Sequence, residues 1–552
     1  MACATELNVK KSEDNQSPKE LIKDFCGYTT THGIGRLAEA RTLFSRFIWT
    51  IFILGAFTMV IFQTHGLFTL WLSRPVATVV KVKHNAHVSF PAVTICNQNP
   101  IKESEISKRY LDEIYKEIDE RMKEQKNVAS QDPDNADMPT NDANVQPTTE
   151  DDLATPTDAS GSGEGDRSPK NNDTTEYYTP EEQLIVDYLF EDLLLSFLAL
   201  ENQTTLHKMG HKYEDFVYDC NFRGIDCRKN YSEYWNKFWD YRYGNCYTFN
   251  GGVDDDHNNQ TVLETHNTGP SGGLKLNLNI ESNEYVPEIS QAAGARIVIH
   301  PQGEMPFPDE EGVNLVPGFS TAIGVRREVV IRVDPFNNGS CRNPDSKQKS
   351  DLYKVKYGSF YSRESCMRSC LAIAQIKKCG CADARFPVEE RHICDKIKKP
   401  DTEICLDDLT TQFNEEGLDC DTDCPVPCSE LIYKTSMSMA EWPSEGFQDV
   451  LYNRVIKRKN AAAQNQKAEG PEFLNRNFLQ VKVFYERLNF QEVQEYLSYK
   501  GINLIADIGG QLGLWIGISV LTCCEVLELV LLLGQTVFKR ITMKESRVEI
   551  RE

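Results

Sequence analysis

From Phe47 to Ser73 the chain reads FIWTIFILGAFTMVIFQTHGLFTLWLS, without one Asp, Glu, Lys or Arg. About 18 such residues suffice to cross a bilayer as a helix. A second apolar run, DIGGQLGLWIGISVLTCCEVLELVLLL, starts at Asp507 and continues to Phe538, yet carries Asp507, Glu525 and Glu528. Nothing else in the sequence constrains the fold as strongly, because a chain of 552 residues that passes lipid twice is divided into compartments. The first run is too long for a signal-peptide core and follows a long polar stretch. Arg36, Arg41 and Arg46 precede the first run, and Lys539, Arg540 and Lys544 follow the second. By the positive-inside rule both termini are then cytoplasmic. The expected layout is a cytoplasmic segment over 1–46, a membrane helix over 47–73, an extracellular domain over 74–502, a second membrane helix over 503–538 and a cytoplasmic tail over 539–552.

The cysteines fit this division. Fourteen of the eighteen lie between the two runs, and an even number in one extramembrane block reads as a disulfide framework formed in an oxidising compartment. Zinc is the rival reading, since Cys366, Cys370, Cys420, Cys424 and Cys428 have tolerable ligand spacing; few histidines accompany them. The same block holds sequons at Asn172, Asn202, Asn230, Asn259 and Asn338, expected to be glycosylated. A sixth, at Asn15, falls on the cytoplasmic side and should stay unused.

The extracellular block is not uniform. About residues 127–179 form an acidic insertion rich in Asp, Pro, Thr and Ser, without an aromatic residue before Tyr177. It carries about half of the chain's net charge of -22. Such a stretch buries too little apolar surface to offset its ordering entropy and reads as disordered. Helical patterns flank it. Ile106, Tyr110, Ile114 and Ile118 recur at four-residue spacing within Glu103 to Gln125, and Glu181 to Glu201 has a wider apolar face. The two are expected to pair as an antiparallel hairpin with the insertion at its tip. Short β-type runs such as HVSFPAVTIC, ARIVIHP, REVVIRVD and NFLQVKVFYERL recur elsewhere, so the chain reads as an α+β membrane protein.

Stepping through the second run by three or four gives Asp507, Gly510, Leu514, Gly517, Leu521, Glu525 and Glu528, one face at helical period. Ionisable groups at membrane depth are costly and usually mark an ion or substrate pathway. Copies from several subunits would turn this stripe to a common water-filled axis, where rings of carboxylates favour cations. On one continuous helix Asp507 and Glu525 would stand about 27 Å apart, one ring at each mouth, with Leu514 as an apolar constriction between them. Gly517-Ile518-Ser519 offers backbone carbonyls and a hydroxyl to replace part of a cation's hydration. A two-span adhesion or scavenger-type receptor would leave the three carboxylates unexplained. An enzyme has little support: no G-x-S-x-G, H-E-x-x-H or P-loop occurs, and GIGRLA at Gly33 follows no strand.

DIGGQLGLWIGIS resembles the second membrane span of the degenerin and epithelial sodium channel superfamily. So do His32-Gly33, FPAVTICN (Phe90 to Asn97), the pattern CNFRGIDC…RYGNCYTFN (Cys220 to Asn250) and the later cysteines. The resemblance implies a homotrimer in the plasma membrane, each subunit built from palm, β-ball, finger, thumb and knuckle. It implies sodium-selective conduction blocked by amiloride, with Na+ as the permeant ion and neither cofactor, metal nor nucleic acid required. Gly517, Ile518 and Ser519 would form the filter. Asp507, Gly510 and Leu514 would line the outer gate, and Leu521, Glu525 and Glu528 the inner pore. Ala506 occupies the position where bulky residues hold such channels open, and His32 and Gly33 would support the filter from below. The implied disulfides are Cys96–Cys246, Cys220–Cys227, Cys341–Cys428, Cys366–Cys424, Cys370–Cys420, Cys379–Cys405 and Cys381–Cys394.

Within the superfamily the stimulus varies. Acid-sensing members carry a histidine just after the first span, where this chain has Pro75-Val76, and His84 and His87 read as ordinary exposed strand residues. The chain is more similar to invertebrate channels opened by short amidated peptides of the FMRFamide type. A small cationic peptide needs an apolar or aromatic cleft and a carboxylate. Asp187, Tyr188, Phe190, Glu191, Leu194 and Phe197 are the candidates for that cleft. Packing against the first finger helix would account for the same residues, and clustered carboxylates leave proton gating as the alternative.

Overall fold

The computed structural model describes residues 17–106, 108–131, 180–343, 351–396, 398–399, 401–462, 470 and 472–549. The acidic insertion from residue 132 onward, Asn15, Asn172 and the side chains of Asp187 and Tyr188 lie outside what it describes. Two compact units are present. One comprises Met1–Lys81, Ile331–Cys341 and Val493–Glu552, the other Val82–Val330 and Arg342–Glu492.

In the first unit Thr42 starts the long apolar helix Leu43–Leu72 by accepting the Ser45 amide at 3.2 Å. Its 30 residues span about 45 Å, several residues earlier than the 47–73 expected. The helix is apolar all round and buries only Val60 within one chain, so lipid is the solvent it fits. The continuous helix expected over 503–538 does not form. Gly501–Ile516 and Val520–Glu549 are separate helices, broken at Gly517-Ile518-Ser519. Leu43–Leu72 and Val520–Phe538 are long and apolar enough to cross a membrane. Leu43–Leu72 packs along Gly501–Ile516, and between them the Trp515 indole N–H donates to Gln63 Oε1 at 2.7 Å. A bond of this kind ties membrane helices where no hydrophobic effect operates between them.

The second unit is built on two sheets. In one, Phe319–Ile331 pairs in parallel with Phe478–Tyr485, which pairs antiparallel with Leu274–Asn279, then Val217–Phe222 and Ile225–Asp226. The other is antiparallel, in the order Val313–Leu315, Ala295–His300, Ala92–Asn97, Gly244–Phe249, Trp235–Asp240. Ala92–Asn97, from the FPAVTICN stretch, is buried along its whole length. Its apolar run is what a strand covered on both faces requires. Phe90, Ile95, Trp235, Phe249, Leu276 and Tyr485 belong to the core shared by the two sheets. Cys96 faces Cys246 in register on adjacent strands, and the two are bonded.

Helices decorate this core. Lys108–Gln131 and Pro180–Ala199 pack together around Ile114, Ile118, Phe190 and Leu193. Glu103–Glu105 forms a separate 3₁₀ turn, and the first helix runs past residue 127 into the stretch read as disordered. Arg363–Cys379 opens with a capping box of Ser362 and Ser365 and ends on Gly380 at φ 82°. Cys366 and Cys370, one turn apart on that helix, bond Cys424 and Cys420 in nested order, followed by Cys379–Cys405 and Cys381–Cys394. Cys220–Cys227 closes a short loop, and Cys341 and Cys428 are likewise disulfide-bonded. These thiols are therefore not zinc ligands.

Candidate functional site

The break in the second membrane run has a local cause. Gly517 sits at φ 74°, ψ 18°, the left-handed region that closes helices and disfavours a side chain. Its amide donates to Gly513 O at 3.1 Å, and the Ile518 amide to Leu512 O at 3.2 Å, which satisfies carbonyls that the ended helix leaves open. A Cβ on Gly517 would stand 2.7 Å from the His32 ring carbons Cγ and Cδ2. The His32 amide meanwhile donates to Ile516 O at 2.7 Å. His32 thus caps the first half-helix with its backbone and rests its ring on the one residue there without a side chain.

The next helix begins at once. Ser519 and Thr522 form a reciprocal cap: the Ser519 amide donates to Thr522 Oγ1 at 3.1 Å and the Thr522 amide to Ser519 Oγ at 3.3 Å. Thr522 is buried and lies 2.6 Å, Oγ1 to Oγ1, from Thr30. One turn on, Glu525 Oε2 accepts from the Thr29 hydroxyl at 3.2 Å and the Thr30 amide at 3.1 Å. The amino-terminal segment is therefore clasped to both sides of the break. Gly33 completes the turn at φ 86°, facing Ile53 of the first membrane helix, and caps Ile34–Glu39.

The stripe read from the sequence is accordingly split. Asp507, Gly510 and Leu514 are exposed on the first half-helix, Leu514 at 72%. Asp507 accepts a hydrogen bond from the Tyr499 hydroxyl at 2.6 Å. Ala506 is exposed beside it. Beyond the break, Leu521 and Glu528 are exposed, whereas Glu525 is half-buried under the threonines rather than standing free. Because the helix stops at Ile516, the separation of about 27 Å for one rod does not apply. Thr29, Thr30, Thr522, Gln63 and Tyr499 were absent from the sequence-derived site. Ser519-x-x-Thr522 was a visible helix-start signal.

The peptide-site candidates separate in the second unit. Phe190 is fully buried, with its ring 5.4 Å from Tyr115, and Phe197 packs at 5.8 Å on Tyr110. Phe190 is a core residue and not a surface anchor. Glu191 and Leu194 instead border a cavity of about 500 Å³, together with Tyr241, Tyr243, Glu288 and Arg296. A second cavity, about 300 Å³, is lined by Glu304, Glu311 and Glu430. Burial, then the neighbouring Glu311 and Glu430 carboxylates, push Glu304 up to about 8. His300 at its edge is buried and lowered to about 4. Its Nδ1–H donates to Pro301 O at 3.0 Å, which leaves Nε2 to accept from Thr94 Oγ1 at 2.8 Å.

The sequence matches the family model described as amiloride-sensitive sodium channel over residues 25–529. It is 30% identical over 550 residues to epithelial sodium channel subunit alpha of Rattus norvegicus, covering 94% of this chain and 75% of that one. The Homo sapiens alpha subunit is 28% identical over 549 residues, 94% of this chain and 78% of its own. Degenerin unc-8 of Caenorhabditis elegans is 32% identical over 346 residues, 61% of this chain and 41% of that protein.

Proposed function

The chain belongs to the amiloride-sensitive sodium channel family, and on that premise we propose that an extracellular short amidated peptide of the FMRFamide type opens it. As a member it is a two-span sodium channel of the degenerin and epithelial type, not an enzyme; Na+ is its permeant ion and it uses no cofactor. Amiloride block and oligomeric assembly follow from the same membership.

The pore reading is supported by one observation above others: the non-helical break at Gly517-Ile518-Ser519, with the His32 ring set against Gly517. Three such breaks around an axis would present carbonyls and hydroxyls to a partly dehydrated cation. The exposed Asp507, Gly510 and Leu514 would meet their counterparts in a homotrimer, with both termini cytoplasmic. Leu521 and Glu528 would line the inner passage, and Glu525 would hold the amino-terminal segment.

The peptide reading is supported by the cavity beside Glu191, which combines carboxylates with the rings of Tyr241 and Tyr243. Its volume falls in the range of ligand pockets. The named relatives are epithelial and degenerin channels, and their names speak of no peptide. A second reading, proton gating, is favoured by Glu304, whose raised value lies in the physiological range. Cells expressing the full chain should be challenged with acid alone and then with an FMRFamide-like peptide at neutral pH. The peptide should evoke amiloride-blocked current, and Glu191→Gln should raise the half-activating concentration about tenfold, roughly 1.4 kcal/mol. Current evoked by acid and never by peptide would transfer the assignment to the Glu304 cavity.

A further inference from the structure

A third cavity, about 460 Å³, opens where the helix Glu445–Ala462 crosses the first sheet of the second unit. The strands beneath it alternate strictly. Leu274, Leu276, Leu479, Val481 and Val483 turn into the core. The alternate residues, Lys275 and Asn277 on one strand and Gln480 and Lys482 on the next, form the opposite polar face. Gln480 donates its amide to Asn277 Oδ1 at 2.9 Å, which makes a fixed polar floor.

The charges around that floor are mostly positive. Lys482 stands directly opposite Lys275 in the antiparallel register, an arrangement that disfavours the sheet unless something offsets it. Lys482 is pushed below its ordinary value by burial and by Lys275. From above, Arg454 and Arg458 project one turn apart on the helix. Arg458 lies 4.7 Å over the Tyr218 ring and donates to Tyr218 O at 2.6 Å; Arg454 lies 5.8 Å from the Phe447 ring centre. Among the described residues none of these four cations has a carboxylate within ion-pair distance, although the chain holds 82 acidic residues. The one acid in the lining, Asp219, is 3.4 Å from the Asn277 amide. Trp442 and Phe447 supply an apolar wall.

We infer that this cavity binds an organic anion, an acid group carried on a flat aromatic body. The acid group lies among Lys275, Arg454 and Arg458, which line the cavity, where it relieves their repulsion and that between Lys275 and the neighbouring Lys482. Paired guanidinium forks suit a carboxylate better than a single ammonium does. The body lies against Trp442 and Phe447, and a cavity of this volume is too large for a bare ion. The inference is independent of the peptide reading, since the peptide is a cation and its cavity is lined by other residues.

The test uses the purified full-length channel, with naphthalene-2-carboxylate and the uncharged naphthalene-2-carboxamide as probes at constant ionic strength. The carboxylate should raise the thermal unfolding midpoint in a saturable way, and the carboxamide should leave it nearly unchanged. R454Q/R458Q should weaken the half-saturating concentration about tenfold or more, as should Lys275→Gln alone, each judged against its own unliganded midpoint to separate folding from binding. Equal shifts from both probes, no shift from either, or an undiminished response in both variants would overturn the site. An equal rise from inorganic sulfate would overturn the aromatic half of the assignment.

Discussion

Gly517 and His32 are separated by most of the sequence, yet each is explained by the other. A methyl group on Gly517 meets the imidazole at 2.7 Å, and an alanine at positive φ costs about 1–2 kcal/mol by itself. Gly517→Ala should therefore displace the amino-terminal segment as well as strain the break. The expected result is a loss of preference for Na+ over K+ in bi-ionic reversal potentials. Adding His32→Ala should restore part of it, because the clash is relieved while the backbone strain stays. Independent, additive effects of the two substitutions would separate His32 from the filter. At this scale the sequence was readable only in part. The glycine was visible as a family signature, but its geometry was hidden because the surrounding residues continue a helical period. The stop at Gly517 and the start at Ser519-x-x-Thr522 were both written there, two residues apart, and periodicity overrode them. Phe190 failed for a different reason. Its helix sets acidic residues on several sides of an otherwise apolar surface, so spacing cannot say which aromatic ring faces outward.

Elements were more legible than contacts. A buried strand such as Ala92–Asn97 announces itself by a run of apolar residues, and the paired helices beside the insertion by their four-residue spacing. The disulfide order, by contrast, was given by resemblance, since 14 cysteines admit many pairings. What the sequence cannot supply is phase across a break: the half-helix Gly501–Ile516 leaves Ala506, Asp507, Gly510 and Leu514 exposed, with Tyr499 bonded to Asp507. If three such elements close against one another, a side chain at Ala506 must be small. Ala506→Cys should conduct normally until a positively charged methanethiosulfonate reagent is added, and then give lasting amiloride-sensitive current. Unchanged open probability after verified labelling would remove Ala506 from the closed contact.

For the molecule as a whole, stability should carry the imprint of Glu304. Its folded carboxyl keeps its proton up to about pH 8, against an ordinary value of 4.5. Between those values the folded chain binds more protons than the unfolded chain, so stability falls as pH rises through that window. Glu304→Gln should flatten the decline of the thermal midpoint between about pH 5 and 8 and raise the midpoint at the alkaline end. An identical slope in the variant would mean that Glu304 titrates normally. The break at Gly517 has a consequence of an electrical kind. An unbroken rod from Gly501 to Glu549 would keep the poles of its macrodipole at its two ends, where water screens them. Two rods instead bring a carboxyl pole, worth about half a negative charge, to the interior of the span. The opposing amino pole is partly spent on Ser519 and Thr522. The carboxyl pole is likewise partly met by the Gly517, Ile518 and His32 amides, so a cation arriving there would feel what the two adjoining poles leave uncancelled, a field of backbone origin that no change of pH can discharge.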